Sequence, residues 1–158
     1  MRILGIDPGI GRTGWGIIDV ENATLKVQSF GCVETTKDFS VGDRLVILYD
    51  ELKRIIEKYE PECLAIEDLF FSNNAKTAMV VGQARGVVIL LATQHKLPVT
   101  VYTPIQVKIG VTGYGKADKK QVGQMVKTVL RLQSIPKPDD TADALAIAVT
   151  HAFSYKMK

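Results

Sequence analysis

The chain has 158 residues, 46% hydrophobic and 23% charged, which excludes a disordered or fibrous protein and fits one ordinary domain, residues 1–158, with its own core. Cys32 and Cys63 stand far apart with no CxxC pattern, so a reduced cytoplasmic protein is expected, without a disulfide or zinc framework. The net charge of +3 hides an asymmetry: 8 Lys and Arg against 13 Asp and Glu through Ser72, net −5, and 12 against 4 from Asn73 onward, net +8, a basic half that suits a polyanionic partner.

Arg2–Asp7 is a short apolar run ending in Asp-Pro-Gly and predicts a buried strand followed by a turn. Thr13–Val20 and Leu25–Glu34 predict two more strands, joined as a hairpin through Glu21-Asn22. From Gly42 to Tyr59, Leu45, Leu48, Leu52, Ile55 and Ile56 form a helical stripe that Pro61 stops. Cys63–Glu67 predicts a fourth strand and Asp68–Asn74 a loop with two aromatics. Ala75–Gln94 predicts a long helix, apolar on nearly all sides, so more than one face must be covered. Val99–Tyr102 predicts a fifth strand, Pro104–Val111 a short helix, and Asp118 caps a helix over Lys119–Leu132. After Pro136 and Pro138 a last helix is expected from about Asp140 to Ser154. This order predicts an α/β fold, a mixed sheet with helices packed on it. No signal peptide is expected, because Asp7 and the glycines interrupt the first residues. The apolar stretch Met79–Ala92 is broken at 82–85 and is too short for a bilayer, so no membrane association is expected.

Four carboxylates are poorly explained by structure alone. Asp7 and Glu67 end strands, and Asp140 and Asp143 begin the last helix three residues apart, on one face. Strand ends beside a helix start bring all four to one edge of the sheet. Hydrolysis of a phosphodiester needs an activated water and a stabilised leaving oxygen, which two Mg²⁺ ions about 4 Å apart supply. Mg²⁺ prefers carboxylate oxygens and water. Singly, each acid also reads as a turn residue, a cap or a strand-end charge. Together they stand out, because an apolar run, Ala144–Val149, follows Asp143 and a charge entering a buried face needs a partner or a metal.

Other residues suit a nucleic-acid ligand. An outward Phe70 or Phe71 beside such a site can stack on bases. Asn73, Asn74 and Lys76 open the long helix and can hold a phosphate, or serve as a cap with a solvated lysine. Lys108, Lys116, Lys119 and Lys120 surround the loop over residues 113–117 and suit backbone contacts. Gly82 and Gly86 lie one turn apart in the long helix and suggest close approach, either by a second subunit or by the chain's own sheet. His95 and His151 have no second histidine or cysteine at metal spacing, so zinc is not expected and His151 reads as structural. Trp15 and Tyr114 read as packing or loop anchors.

Four segments carry a family resemblance: GIDPGIGRTGWGII (Gly5–Ile18), LAIEDLFFSNNAKTAMVVGQARGVV (Leu64–Val88), PIQVKIGVTGYGKADKKQV (Pro104–Val122) and DDTADALAIAVTHA (Asp139–Ala152). In their order and spacing they resemble the bacterial RuvC family of Holliday-junction (crossover junction) endodeoxyribonucleases. The resemblance implies an RNase H-like fold with a five-stranded mixed sheet flanked by helices. It implies a homodimer that cuts four-way DNA junctions with Mg²⁺, two ions per subunit, Mn²⁺ being able to substitute. It places the acidic site on Asp7, Glu67, Asp140 and Asp143, with Asp139 outside it. It also makes Phe70 an aromatic near the crossover, gives Lys108 and Lys119 a part in backbone handling or catalysis, and adds the RuvA–RuvB branch-migration machine as a partner. Three other readings remain open on the residues: an actin-like ATPase, based on Asp7-Pro-Gly and Thr13-Gly14 but needing a second lobe; a non-catalytic junction-binding scaffold; and another RNase H-like nuclease.

Overall fold

The computed structural model of the chain describes residues 1–68 and 74–155. In chain order the elements are β1 (Arg2–Asp7), β2 (Arg12–Glu21), β3 (Thr24–Glu34), α1 (Val41–Tyr59), β4 (Cys63–Glu67), α2 (Ala75–Gln94), β5 (Val99–Tyr102), α3 (Pro104–Thr112), α4 (Lys119–Val129) and α5 (Asp139–Tyr155). Every expected element forms. Two boundaries differ in a way that matters. α5 begins at Asp139, so Asp139 and Asp140 both lie in its first turn. α4 ends at Val129, short of the expected Leu132, because Arg131 turns to a positive φ of 53°. The Leu132 N–H then donates back to the Lys127 carbonyl at 2.9 Å, closing the helix end.

The sheet runs β3-β2-β1-β4-β5. β1, β2 and β3 form an antiparallel meander whose tight turn uses positive φ at Asn22 and Ala23. β4 and β5 add in parallel beside β1, each reached through a helix. Alternation along the strands divides the core in two. Leu4, Ile6, Ile17, Leu64 and Ile66 pack toward α1 and α2. Ile3, Ile18, Cys63 and Ala65 pack toward α3, α4 and α5.

α5 is the innermost helix, with every residue from Ala144 to Ala152 buried. Its small side chains allow close approach, and two glycines complete it. A Cβ at Gly5 of β1 would strike the Ala144 carbonyl, and one at Gly14 of β2 would strike the Asp140 carbonyl. The Thr141 hydroxyl donates to the Gly31 carbonyl at 3.2 Å, pinning the first turn of α5 across β3.

α2 has 20 residues and, by length and composition only, is apolar enough to cross a membrane, a test that a core helix also passes. One face, Ala84, Val88, Leu91 and Ala92, lies in the core against the sheet. Elsewhere Met79 and Leu90 are exposed, and Gly86 faces open space. Gly86 therefore does not mark close packing on the chain's own sheet.

Candidate active site

The register explains why two of the acids meet. β1 and β4 are parallel with Ile6 opposite Ile66, so Asp7 and Glu67 end adjacent strands at the same level. Ile3 and Gly5 of β1, and Cys63 and Ala65 of β4, face α5; period two puts Asp7 and Glu67 on that face as well. α5 starts at this edge, held by the contacts at Gly14 and Gly31, so Asp140 and Asp143 project over the strand ends. Beyond Asp7 the chain turns sharply, and Thr13 locks the turn by donating to the Gly9 carbonyl and accepting from the Gly9 N–H at 3.2 Å.

The electrostatics show these acids acting on one another. Burial, then Glu67, Asp143 and Asp140, push the Asp7 carboxyl up to about 8. Burial and Asp143 push Glu67 up to about 7. The Lys119 ammonium opposes both shifts and lies 2.9 Å from Asp143 Oδ2. Hard oxygen donors crowded enough to suppress each other's ionisation fit a divalent cation of the Mg²⁺ class. Among the described residues, no group of three or more His, Cys, Asp or Glu side chains is already drawn in close enough to hold an ion.

The other expected site residues divide. Lys119 and Lys120 line a recess of about 260 Å³ with Asp139, Asp143 and Lys137. Sequence reasoning passed over Lys137, which pairs with Asp139 at 3.1 Å; its signal was its place two residues before the acidic pair. Lys116 is exposed on the loop before α4, and Lys108 is half-buried on α3. Asn74 caps α2, its side chain accepting from the N–H groups of Lys76 and Thr77 at 3.2 and 3.3 Å, so its Oδ1 is engaged. Lys76 is exposed on the first turn. Phe70, Phe71 and Asn73 lie outside the described residues. Arg85 of α2 was not anticipated; its Nη2 stands 3.6 Å from Asp68, the residue after Glu67.

His151 has partners that its sequence surroundings do not show. His151 is not alone: Cys63 Sγ lies 3.5 Å from its Nε2 and the Tyr102 hydroxyl 3.0 Å from its Nδ1. The chain separation of 88 residues between Cys63 and His151 hid the pair.

A five-stranded mixed sheet of this order, flanked by helices, is the α/β architecture of the RNase H-like class. The family described as crossover junction endodeoxyribonuclease RuvC matches residues 3–151. The crossover junction endodeoxyribonuclease RuvC of Fusobacterium nucleatum is 54% identical over the whole chain, which covers 83% of that relative. The structure of Thermus thermophilus RuvC superposes with a TM-score of 0.92 at 36% identity, covering 99% of this chain and 96% of that one. The same Thermus thermophilus protein in complex with Holliday junction substrate gives 0.91 at 34% identity, with the same coverage. The chain belongs to the RuvC family of crossover junction endodeoxyribonucleases.

Proposed function

We propose that this protein resolves four-way DNA junctions, each subunit of a homodimer cutting one strand at a site made by Asp7, Glu67, Asp140 and Asp143. The observation that carries this reading is that the ends of β1 and β4 and the start of α5 bring these acids to one sheet edge in a chain matched by the family over residues 3–151. Asp7, Glu67, Asp140 and Asp143 would hold two Mg²⁺ ions, with Mn²⁺ able to substitute, and the ions would supply an activated water and charge stabilisation at the leaving oxygen. The Lys119 ammonium, 2.9 Å from Asp143 Oδ2, places positive charge beside the same edge, where a phosphate would be bound. Lys116, Lys120 and Lys108 hold the DNA backbone, with Phe70 and Phe71 against the bases and Asn73, Asn74 and Lys76 near the start of α2. Cleavage leaves a 5′-phosphate and a 3′-hydroxyl, and paired nicks give two duplexes that a ligase can seal.

The dimer is formed through α2, whose outward surface combines exposed Met79 and Leu90 with open space at Gly86. Cooperation with RuvA–RuvB rests on the family resemblance alone. The test is cleavage of a labelled immobile four-way junction with several core sequences, beside a matched linear duplex and an RNA–DNA hybrid, with and without Mg²⁺. Metal-dependent paired nicks confined to the junction are expected. Junction binding without cutting under Mg²⁺ and Mn²⁺ would point instead to a scaffold, and cutting of the hybrid to another RNase H-like nuclease.

A further inference from the structure

The sheet edge that carries the acids can be approached from two faces. β1 and β4 end there, β2 begins there and β3 ends there, because Asp7 lies opposite Gly14 and Arg12 opposite Glu34. Lys119 reaches the edge from the face that α5 covers. Val33 packs toward α1, and period two puts Thr35, just past the end of β3, on that opposite face. The Thr35 N–H donates to the Gly11 carbonyl at 3.0 Å, and its hydroxyl donates to the Ile10 carbonyl, so it grips the turn that leaves Asp7. Arg44, in the first turn of α1, donates from Nε to that same hydroxyl at 2.9 Å. One chain of hydrogen bonds therefore runs from α1 through Thr35 to the turn behind Asp7.

We propose that Arg44 holds a backbone phosphate of the DNA, on the side of the acidic edge away from the lysines. The inference rests on the junction-cleaving reading above and adds a contact to it. The first argument is charge. Arg2, Arg12, Arg54 and Arg85 each stand beside a carboxylate, that of Asp19, Glu34, Glu51 and Asp68 in turn. Arg44 has no carboxylate partner among the described residues, although it belongs to the half of the chain with a net excess of acids. A guanidinium is always charged, and its planar fork matches the oxygens of a phosphate as well as those of a carboxylate. An arginine left without an internal anion suits one supplied from outside.

The second argument is orientation. Thr35 engages Nε, which sets the plane of the guanidinium and leaves its terminal nitrogens to other acceptors. Nη2 stands over Gly11, 3.5 Å from where a Cβ would be, so the glycine leaves that side of the fork uncovered. The side chain is half-buried, and a fork held in place loses less freedom when it binds. The third argument is distance. β3 lies two strand positions from β1, about 10 Å at the spacing of neighbouring strands. At about 3.4 Å of rise per nucleotide, that is about three nucleotides along one DNA strand. A strand laid across the edge would place one phosphate at the acids and another at Arg44, with Lys119 and Lys120 on the far side. Such a contact fixes the register of the strand over the acids and reads no base.

The test is binding of the full-length protein to an immobile four-way junction without Mg²⁺, so that nothing is cut, over a range of salt. Arg44→Gln should weaken binding by about 10-fold or more and lower the salt slope by about 1. Thr35→Val, which loosens the turn but keeps the charge, should keep the wild-type slope. Junctions carrying one uncharged methylphosphonate at a time then locate the contact. At one position, about three nucleotides from the cut, the neutral group should weaken the wild type and have no further effect on Arg44→Gln. At every other position it should affect both proteins alike. Thermal melts show whether each variant is folded, and Arg44→Met, which keeps the apolar stem, stands in if the glutamine variant is not. A wild-type salt slope in the folded variant, or the same methylphosphonate pattern in both proteins, would overturn the proposal. If the wild type still cuts junctions with Mg²⁺, that failure belongs to Arg44 alone. The expected pattern in a protein that binds junctions but never cuts them would instead leave the contact standing and remove the nuclease reading.

Discussion

Asp7 combines two stresses, burial and three acidic neighbours, which the Lys119 ammonium partly relieves. Its carboxyl sits at about 8 in the fold, against 3.8 for an ordinary aspartate, and Glu67 at about 7 against 4.5. Both groups therefore hold protons more tightly folded than unfolded. As pH rises from about 4 to 8 the unfolded chain ionises first, and the metal-free fold loses stability through that window. Asp7→Asn removes the largest part of this cost. The metal-free variant is expected to gain about 2 kcal/mol at pH 8.5, about 4–8 °C in melting midpoint, with little gain at pH 5. Thermal melts at the two pH values check this. The same variant should lose junction cleavage by about 10³-fold or more, since several kcal/mol of transition-state stabilisation depends on the site's charge, while still binding junctions. The two shifted acids also tie the cation to pH. Mg²⁺ must displace their protons, so its apparent affinity should rise between pH 6.5 and 8.5 with proton release. Calorimetry in buffers of different ionisation enthalpy measures that release. Cation binding with no proton exchange over this range would mean that Asp7 and Glu67 are not ligands.

At the scale of elements, the site depends on how closely α5 lies on β1 and β2. Gly14 is the tightest point, because a Cβ there would meet the Asp140 carbonyl carbon and oxygen, and backbone cannot rotate aside as a side chain can. Gly14→Ala should cost about 1–3 kcal/mol by overpacking. It should also cut single-turnover cleavage by about 10²-fold, the scale of effect that a 1 Å misplacement produces. Equal junction affinity with slower cleavage would separate this displacement from a loss of DNA contacts. The elements themselves were legible in the sequence. Asp118 and Pro104 mark helix starts that the structure confirms with capping boxes. The end of α4 was not legible, because it turns on the positive φ of Arg131, a residue with no preference for that conformation. Pairings across the fold were hidden for a different reason. Lys119 reaches Asp143, and Cys63 reaches His151, only through sheet register and the crossing of α5, neither of which a local pattern contains.

Across the whole molecule the charge asymmetry and the apolar surface of α2 have separate consequences. The basic half contributes the lysines beside the acidic edge, so junction binding should weaken with salt at a slope near −0.9 for each phosphate neutralised. Lys120→Ala, which leaves all four acids in place, should reduce that slope by about 1. The surface of α2 away from the core has a different use. Leu90 is 54% exposed and Met79 69%, on a helix whose other face is in the core. Substituting an exposed residue of this kind usually changes a monomer's stability by less than about 0.5 kcal/mol. Leu90→Glu should therefore leave the fold intact but place a charge in a dimer contact, where an unpaired buried charge is costly. Sedimentation should show the wild type as a dimer and Leu90→Glu shifted to monomer at micromolar concentration. On a supercoiled plasmid carrying an extruded four-way junction, two coupled nicks linearise the circle, whereas one nick relaxes it. The variant should then give relaxed circles where the wild type gives linear product. Undiminished linearisation by a monomeric variant would show that the two cuts need no dimer through α2.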